Sequence, residues 1–115
     1  MFDFEKLEVY SRAKTFTLHV QKFLLQGKLD SAIRNQLRRS SLSIVLNIAE
    51  GSGRKTKADK RNFFIIARDS TFESVAIFDI LKEEGVINHQ DFQTFYSLCE
   101  ELSKMLYSMI QRLEQ

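Results

Sequence analysis

Apolar residues recur along this chain at alternating spacings of three and four, the period of one buried face of an α-helix. The pattern fills four stretches, which are separated at Gly27, at Gly51 and Gly53, and at Gly85. The residues expected to face inward are Val9, Ala13, Phe16, Val20 and Phe23; Ile33, Leu37, Ile44 and Ile48; Phe64, Ala67, Thr71, Ser74, Phe78 and Leu81; and Phe92, Phe95, Cys99, Leu102, Leu106, Met109 and Leu113. The sequence therefore predicts four amphipathic helices.

Capping residues and glycines set the expected helix ends. Asp30, Thr56 and Asn88 each precede a periodic stretch, where a short polar side chain can accept from free backbone N–H groups. All four glycines are expected at helix ends, where positive φ is tolerated. The expected spans are 6–25, 31–51, from the Thr56–Asp59 capping box to just before Gly85, and from Asn88 onward. Because short connections make neighbouring helices antiparallel, we predict an all-α, antiparallel up-down-up-down four-helix bundle.

Composition agrees with one helical domain spanning residues 1–115. The chain has no Pro, and 43% hydrophobic with 28% charged residues is typical of a globular protein rather than a disordered one. The single Cys99 cannot form an internal disulfide, and the N-terminus lacks a secretory signal. No apolar run is long enough to span a membrane, so no membrane partner is predicted. We expect a cytoplasmic protein.

The second and third helices carry more apolar surface than one bundle core requires. Leu42, Leu46 and Ala49 point away from the inner face of the second helix. On the third helix, Ile65, Phe72 and Ala76 lie far from the inner stripe, and Ile66, Ile77 and Ile80 fill the remaining side. Contiguous apolar surface of this kind marks an association surface, so we predict a homo-oligomer; the alternative is that the second helix is simply the most central one. The interface candidates are Arg39, Leu42, Leu46, Ala49, Glu50, Ile65, Phe72 and Ala76.

Positive charge is concentrated in one segment. Residues 28–68 contain ten Lys or Arg against three acidic residues, a net charge of +7, whereas the whole chain carries +2. Such a segment favours an anionic partner, and RNA or another nucleic acid is the predicted one. The candidates for phosphate contact are Arg34, Arg38, Arg39, Arg54, Lys55, Lys57, Lys60 and Arg61. A continuous basic strip along the second and third helices is one arrangement, with Arg68 near the Arg34 end; solvated charges and intersubunit ion pairs, such as Arg39 with Glu50, are the alternative.

The stretch from Gly51 to Lys57 leads into a helix N-terminus, a place where backbone N–H groups can hold phosphate. It lacks the spacing of a nucleotide-binding loop, so a tight turn that presents Arg54, Lys55 and Lys57 is the preferred interpretation.

Catalytic chemistry is not predicted. His19 and His89 have no metal-ligand spacing, and Cys99 lies on an inner face. We therefore expect no enzyme, no metal and no cofactor.

A family resemblance is carried by two motifs. The run from Gln36 to Ile44 and the following Asn47-Ile48-Ala49-Glu50-Gly51-Ser52-Gly53-Arg54 resemble the signature of proteins encoded in intervening sequences of bacterial 23S ribosomal RNA genes. The matches extend to Leu7–Tyr10 with Ala13 and to Phe63-Phe64 with Ala67, so the resemblance covers essentially the whole chain. One departure is Val45, where that family often has Pro.

The resemblance implies a small ribosome-associated protein that folds as an antiparallel bundle and assembles into a ring-like pentamer. The chain is also similar to the accessory variability determinant of diversity-generating retroelements, a pentamer that binds nucleic acid and a reverse transcriptase. Two functions are consistent with this. The first is a non-catalytic, oligomeric RNA-binding protein associated with the ribosome or its RNA. The second is a ring-shaped scaffold that binds a protein partner, such as a nucleic-acid enzyme, without binding RNA directly.

Overall fold

The computed structural model describes residues 1–27 and 29–115, which form a short 3-10 helix followed by four α-helices. The 3-10 helix is Asp3–Lys6, and the α-helices are α1 Glu8–Leu24, α2 Ser31–Ser52, α3 Lys57–Glu83 and α4 His89–Leu113. Consecutive helices pack against one another, which confirms the predicted all-α four-helix bundle. Lys28, the first cation of the basic segment, lies outside the described residues.

The predicted caps open three of the helices. The Asp30 carboxylate accepts from the N–H of Ala32 at 2.9 Å. The Thr56 hydroxyl and the Asn88 side-chain oxygen each accept from the N–H three residues later, at 3.1 and 2.7 Å. The expected start of the first helix at residue 6 is wrong, because Leu7 has an extended backbone that separates the 3-10 helix from α1.

The glycines serve two different purposes. Gly27 and Gly85 have φ of 73° and 72°, as expected at helix ends. Gly51 is instead a buried residue inside α2, and Gly53 ends that helix with φ of −90°, so neither of them needs the left-handed region. A Cβ built on Gly51 would lie 2.9 Å from Cβ of Phe63 and 2.8 Å from a ring carbon of Phe64. Glycine is present there because α3 approaches the backbone of α2.

The predicted inner faces form the core. The rings of Phe16, Phe23, Phe78 and Phe95, which come from three helices, meet at its centre. Phe78 and Phe95 are stacked at 4.1 Å, and Phe16 meets both of these rings edge-on. Most of the predicted inward residues are buried. The exceptions are Ile33, Met109 and Leu113, which are partly buried at the margin of the core.

Two predicted orientations change for the same geometric reason. Ile77, expected outside the inner stripe of α3, is buried, because α2 packs against that flank of the helix. Near the end of α4, Ile110 is buried whereas Met109 is partly exposed. An ideal stripe drawn from spacing alone does not show how far a neighbouring helix extends around each element.

Pairs of buried hydroxyls set the register between α2 and α3. Ser40 and Ser74 share a hydrogen bond of 2.8 Å, and Ser70 donates to Ser43 at 2.7 Å. These small side chains let the two helices pack closely, and the α2–α3 contact is the most extensive in the bundle. The α1–α4 contact is much slighter. The bundle is therefore tight at the α2–α3 seam and open at the opposite one.

Candidate nucleic-acid and subunit interfaces

The connection between α2 and α3 gathers five cations at one end of the bundle. We call this set the basic turn: Arg54, Lys55, Lys57, Lys60 and Arg61. Gly53 ends α2 and Thr56 caps α3, so the N-terminus of α3 belongs to the same turn. The first N–H groups of a helix and its dipole favour negative charge. The side chains of the basic turn and the backbone N–H groups at the start of α3 therefore both present positive charge to solvent.

Two cations of the basic turn are held against α2 and α3. The Arg54 guanidinium lies 3.4 Å from the carboxylate of Glu50 and 4.5 Å from the centre of the Phe63 ring. The Lys60 ammonium donates to the main-chain oxygen of Ser52 at 2.8 Å, where it satisfies one of the last carbonyls of α2. Arg54 remains exposed and can exchange its carboxylate for a phosphate, whereas Lys60 has a structural contact as well.

The other members of the basic turn reach toward the end of α4 or into solvent. Arg61 pairs with Glu114 at 2.8 Å, and the Lys57 ammonium donates to the main-chain oxygen of Gln115 at 3.3 Å. Lys55 makes no side-chain hydrogen bond or ion pair with any residue that the structure describes. Exposed ion pairs contribute little to stability, so these cations are available to an anionic partner at small cost.

The three arginines in the first half of α2 divide into two kinds. Arg38 and Arg39 are exposed, as a phosphate contact requires. Arg34 is half-buried and donates to the main-chain oxygens of Leu24 at 2.6 Å and Leu29 at 3.2 Å. Leu24 is the last residue of α1, so the guanidinium satisfies the negative end of that helix. Arg34 therefore holds the α1–α2 connection in place.

Replacing Arg34 by Ala is expected to lower the free energy of unfolding by about 1.5–3 kcal/mol, because two main-chain acceptors lose a charged donor. Arg38→Ala is the matched control. Arg38 is an exposed arginine one turn after Arg34 in the same helix, so its replacement removes the same charge. We expect this control to change the free energy of unfolding by less than about 0.5 kcal/mol. Urea denaturation of both variants at one protein concentration measures the difference. Equal stabilities would show that Arg34 is an ordinary surface cation.

The structure does not join the cations of α2 into a continuous strip. Between Arg39 and Arg54, the outer side of α2 presents Leu46, Ala49 and Glu50. The candidates therefore form two groups, the Arg38–Arg39 pair and the basic turn, separated by an apolar and acidic interval. An RNA that contacts both groups must cross this interval.

Arg68 lies apart from both groups, on the α4 side of α3. Its Nε donates to the main-chain oxygen of Ser103 at 3.2 Å. Its guanidinium carbon is 4.8 Å from the ring centre of Phe72 and 5.2 Å from that of Tyr107. The i,i+4 spacing of Arg68 and Phe72 is a signal visible in the sequence, but the contact with Tyr107 depends on how α4 packs. Sequence reasoning missed this cluster.

Two exposed apolar surfaces lie on different flanks of the bundle. The first is the outer stripe of α2, comprising Leu42, Leu46 and Ala49, in which Leu46 is 59% exposed and the other two are partly exposed. The Ala49 end of this stripe borders a cleft between the 3-10 helix and α2, and Phe2 and Phe4 line that cleft. This surface therefore lies on the α1 side of α2.

The second surface is on the α3–α4 flank. Phe72 is 53% exposed and Tyr107 is 49% exposed, with Arg68 between them, and Tyr96 borders the same shallow groove. We call Arg68, Phe72, Tyr96 and Tyr107 the aromatic face. Ala76 is exposed and Ile65 partly exposed beside it on α3. Aromatic residues and arginine are the types that contribute most to protein interfaces.

Charge also differs along the chain. Residues 28–68, which include the outer stripe of α2, carry the net +7. Residues 69–115, which provide Phe72, Tyr96 and Tyr107, contain nine acidic residues against three Lys or Arg, a net charge of −6. Three of the four residues of the aromatic face thus come from a segment opposite in sign to that of the outer stripe, which favours contact between the two surfaces on different copies.

The single cysteine is placed where its thiol is unreactive. Cys99 is buried, and desolvation raises the pKa of its thiol to about 12. Within residues 1–27 and 29–115 there is no group of three His, Cys, Asp or Glu side chains arranged to hold a metal. Over the same residues, no helix has the length and hydrophobicity needed to cross a bilayer.

Comparisons with known proteins identify similar sequences and folds. The family model described as the 23S rRNA-intervening sequence protein matches residues 5–108. A solved structure from Bacteroides thetaiotaomicron, described as a protein of unknown function from the S23 ribosomal protein family, superposes with a TM-score of 0.84 at 25% sequence identity. That match covers 89% of this chain and 97% of the other. A search of curated proteins gives no match.

Proposed function

This chain belongs to the 23S rRNA-intervening sequence protein family, and from that membership and the charge distribution we propose that it is a non-catalytic, self-assembling protein that binds ribosomal RNA. The observation that carries the proposal is the basic turn, where five cations and a helix N-terminus share one end of the bundle. The family name supplies the choice of RNA, because charge alone does not distinguish it from other polyanions.

RNA binding would proceed through phosphate rather than base recognition. Lys55 is unpaired among the described residues, and the ion pairs of Arg54 and Arg61 are exposed and exchangeable. Each phosphate contact releases condensed counterions, so affinity depends strongly on salt. The Arg38–Arg39 pair provides a second contact, separated from the basic turn along α2.

Self-association would use the outer stripe of α2 and the aromatic face. If the outer stripe of α2 docks on the aromatic face of the next copy, the two contacting surfaces are different, so the interface is head-to-tail. Such interfaces close into rings when the rotation between copies allows it. The pentamer implied by the family resemblance is a ring of this kind, and assembly would repeat the basic turn around it.

The test of RNA binding is a salt titration. Converting Arg54, Lys55 and Lys57 to Ala is expected to weaken binding of a ribosomal RNA fragment and to reduce the slope of log affinity against log salt by about 2–3, roughly one unit per lost phosphate contact. The control converts Lys6, Lys14 and Lys22, which lie in the 3-10 helix and α1, and removes the same charge elsewhere. Equal slopes for the two triple variants would show that the basic turn is not the RNA contact.

A further inference from the structure

The slight contact between α1 and α4 leaves a groove along that seam of about 470 Å³. Its floor is apolar and is formed by Leu7 and Val9 on one side and by Met105 and Met109 on the other. The two methionines are only partly buried, although α4 is otherwise well packed. Methionine side chains are flexible and polarizable, and they are used at surfaces that accept helices of varied sequence.

One wall of the groove carries two cations that form no ion pair with a described residue. Lys104 and Arg112 lie on the same ridge of α4, about 12 Å apart along the helix axis. Both are exposed, and neither makes a side-chain hydrogen bond or ion pair with a described residue. Ser108, a small residue, lies between them.

Two of the nearby carboxylates, Glu8 and Glu101, are already engaged, whereas Glu100 borders Lys104 on the side that faces the aromatic face. Arg12 pairs with Glu8 at 3.1 Å and with Glu101 across the α1–α4 seam. The hydrogen bond that Arg12 donates to Glu101 raises the pKa of the Arg12 guanidinium. The groove therefore offers an apolar floor and two unmatched cations, which is complementary to an apolar ridge flanked by acidic side chains.

We propose that the α1–α4 groove binds an amphipathic helix of a partner protein, with apolar residues entering between Met105 and Met109 and acidic residues pairing with Lys104 and Arg112. A helix fits because the groove runs between two helices, where a third can place its ridge of side chains. The partner's carboxylates would lie two turns apart to match the two cations. The inference goes beyond RNA binding and does not depend on it.

The apolar floor of the groove stays available in the proposed ring, although Lys104 stands on the ridge between the groove and the aromatic face. The outer stripe of α2 and the aromatic face occupy the α1–α2 and α3–α4 flanks, whereas the groove lies at the seam opposite α2–α3. Subunit contacts would therefore leave Leu7, Met105 and Met109 uncovered. One ring would present one groove per subunit.

The test uses a designed peptide as the probe. It is a fluorescein-labelled amphipathic helix with leucines on one face and two glutamates two turns apart beside them, and its matched partner has lysines in place of the glutamates. The wild-type protein should bind the glutamate peptide at least about tenfold more tightly than the lysine peptide. The double variant Lys104→Glu and Arg112→Glu should reverse this preference. Both residues are exposed, so circular dichroism should show an unchanged fold.

Several outcomes would overturn the inference. They are a lack of saturable binding up to about 1 mM peptide, equal binding of the two peptides, or no reversal in the double variant. Competition experiments distinguish a partner helix from the other candidate occupants of the groove, RNA and a second copy of this chain. Displacement of the peptide by single-stranded RNA at low salt would assign the groove to RNA, and loss of peptide binding on self-association would assign it to a second copy. Binding that persists in the Arg54, Lys55 and Lys57 triple variant would show that the groove acts independently of the RNA contact.

Discussion

Replacement of Leu46 by aspartate is expected to convert the proposed assembly into monomers without unfolding the chain. Leu46 is 59% exposed in the single chain, so a polar residue there disturbs no core contact. In the proposed assembly the same side chain is buried against the aromatic face of the next copy. The variant loses the burial of a leucine, about 1.5–3 kcal/mol, and places an unpaired carboxylate in the interface. Each subunit contact should weaken by at least about 100-fold.

The control for this prediction is Leu18→Asp. Leu18 is 52% exposed on α1, and it belongs to neither of the two proposed docking surfaces. It should leave the assembly intact. Sedimentation velocity of the wild type and both variants at micromolar concentration measures the particle mass. A monomeric wild type, or a Leu46→Asp variant that sediments like the wild type, would contradict the head-to-tail interface.

Substituting Ala for Gly51 is expected to destabilise the bundle, even though alanine is the better helix former. The new methyl group would meet Cβ of Phe63, which is fixed to the backbone of α3 and can move only with that helix. Overpacking of this kind costs about 1–3 kcal/mol, and the gain in helix propensity offsets about 1 kcal/mol of it. We expect a net loss of up to about 2 kcal/mol and a lower melting temperature.

Gly53 provides the matched control two residues along the chain. Its φ is −90°, and a Cβ there would lie 3.7 Å from the carbonyl oxygen of Glu50, an ordinary contact. Gly53→Ala should therefore be neutral or slightly stabilising. Thermal melts at one protein concentration keep the contribution of assembly constant. A Gly51→Ala variant as stable as Gly53→Ala would show that α3 can move away without loss.

The sequence predicts the local structure of this protein well because local rules decide it. The inner faces follow the helical period, and Asp30, Thr56 and Asn88 act as caps through contacts within a few residues. Gly51 was predicted to be a turn residue because glycine at a helix end and glycine at a helix crossing look identical in sequence. Only the approach of Phe63 and Phe64, which depends on the register of α2 against α3, distinguishes them.

The sequence predicts which residues belong to the candidate sites, but it does not predict where their side chains point. The net +7 segment identifies the cations, yet Arg34 turns inward to hold the end of α1 and Arg68 turns toward α4. Long side chains reach several ångströms beyond their own helix, so their partners depend on tertiary packing. The α1–α4 groove likewise cannot be predicted from any one segment of the sequence, because it forms where two helices distant in the chain do not pack closely against each other.

Sedimentation velocity with a fluorescent ribosomal RNA fragment, at about 50 and 200 mM salt, tests RNA binding and assembly in one measurement. The account predicts that at the lower salt the RNA sediments with a protein particle larger than one chain. At the higher salt the RNA should be released while the protein particle persists, because RNA is held by phosphate contacts and the subunits also by apolar burial. RNA that sediments alone at both salt concentrations, or protein that sediments as a monomer throughout, would contradict it.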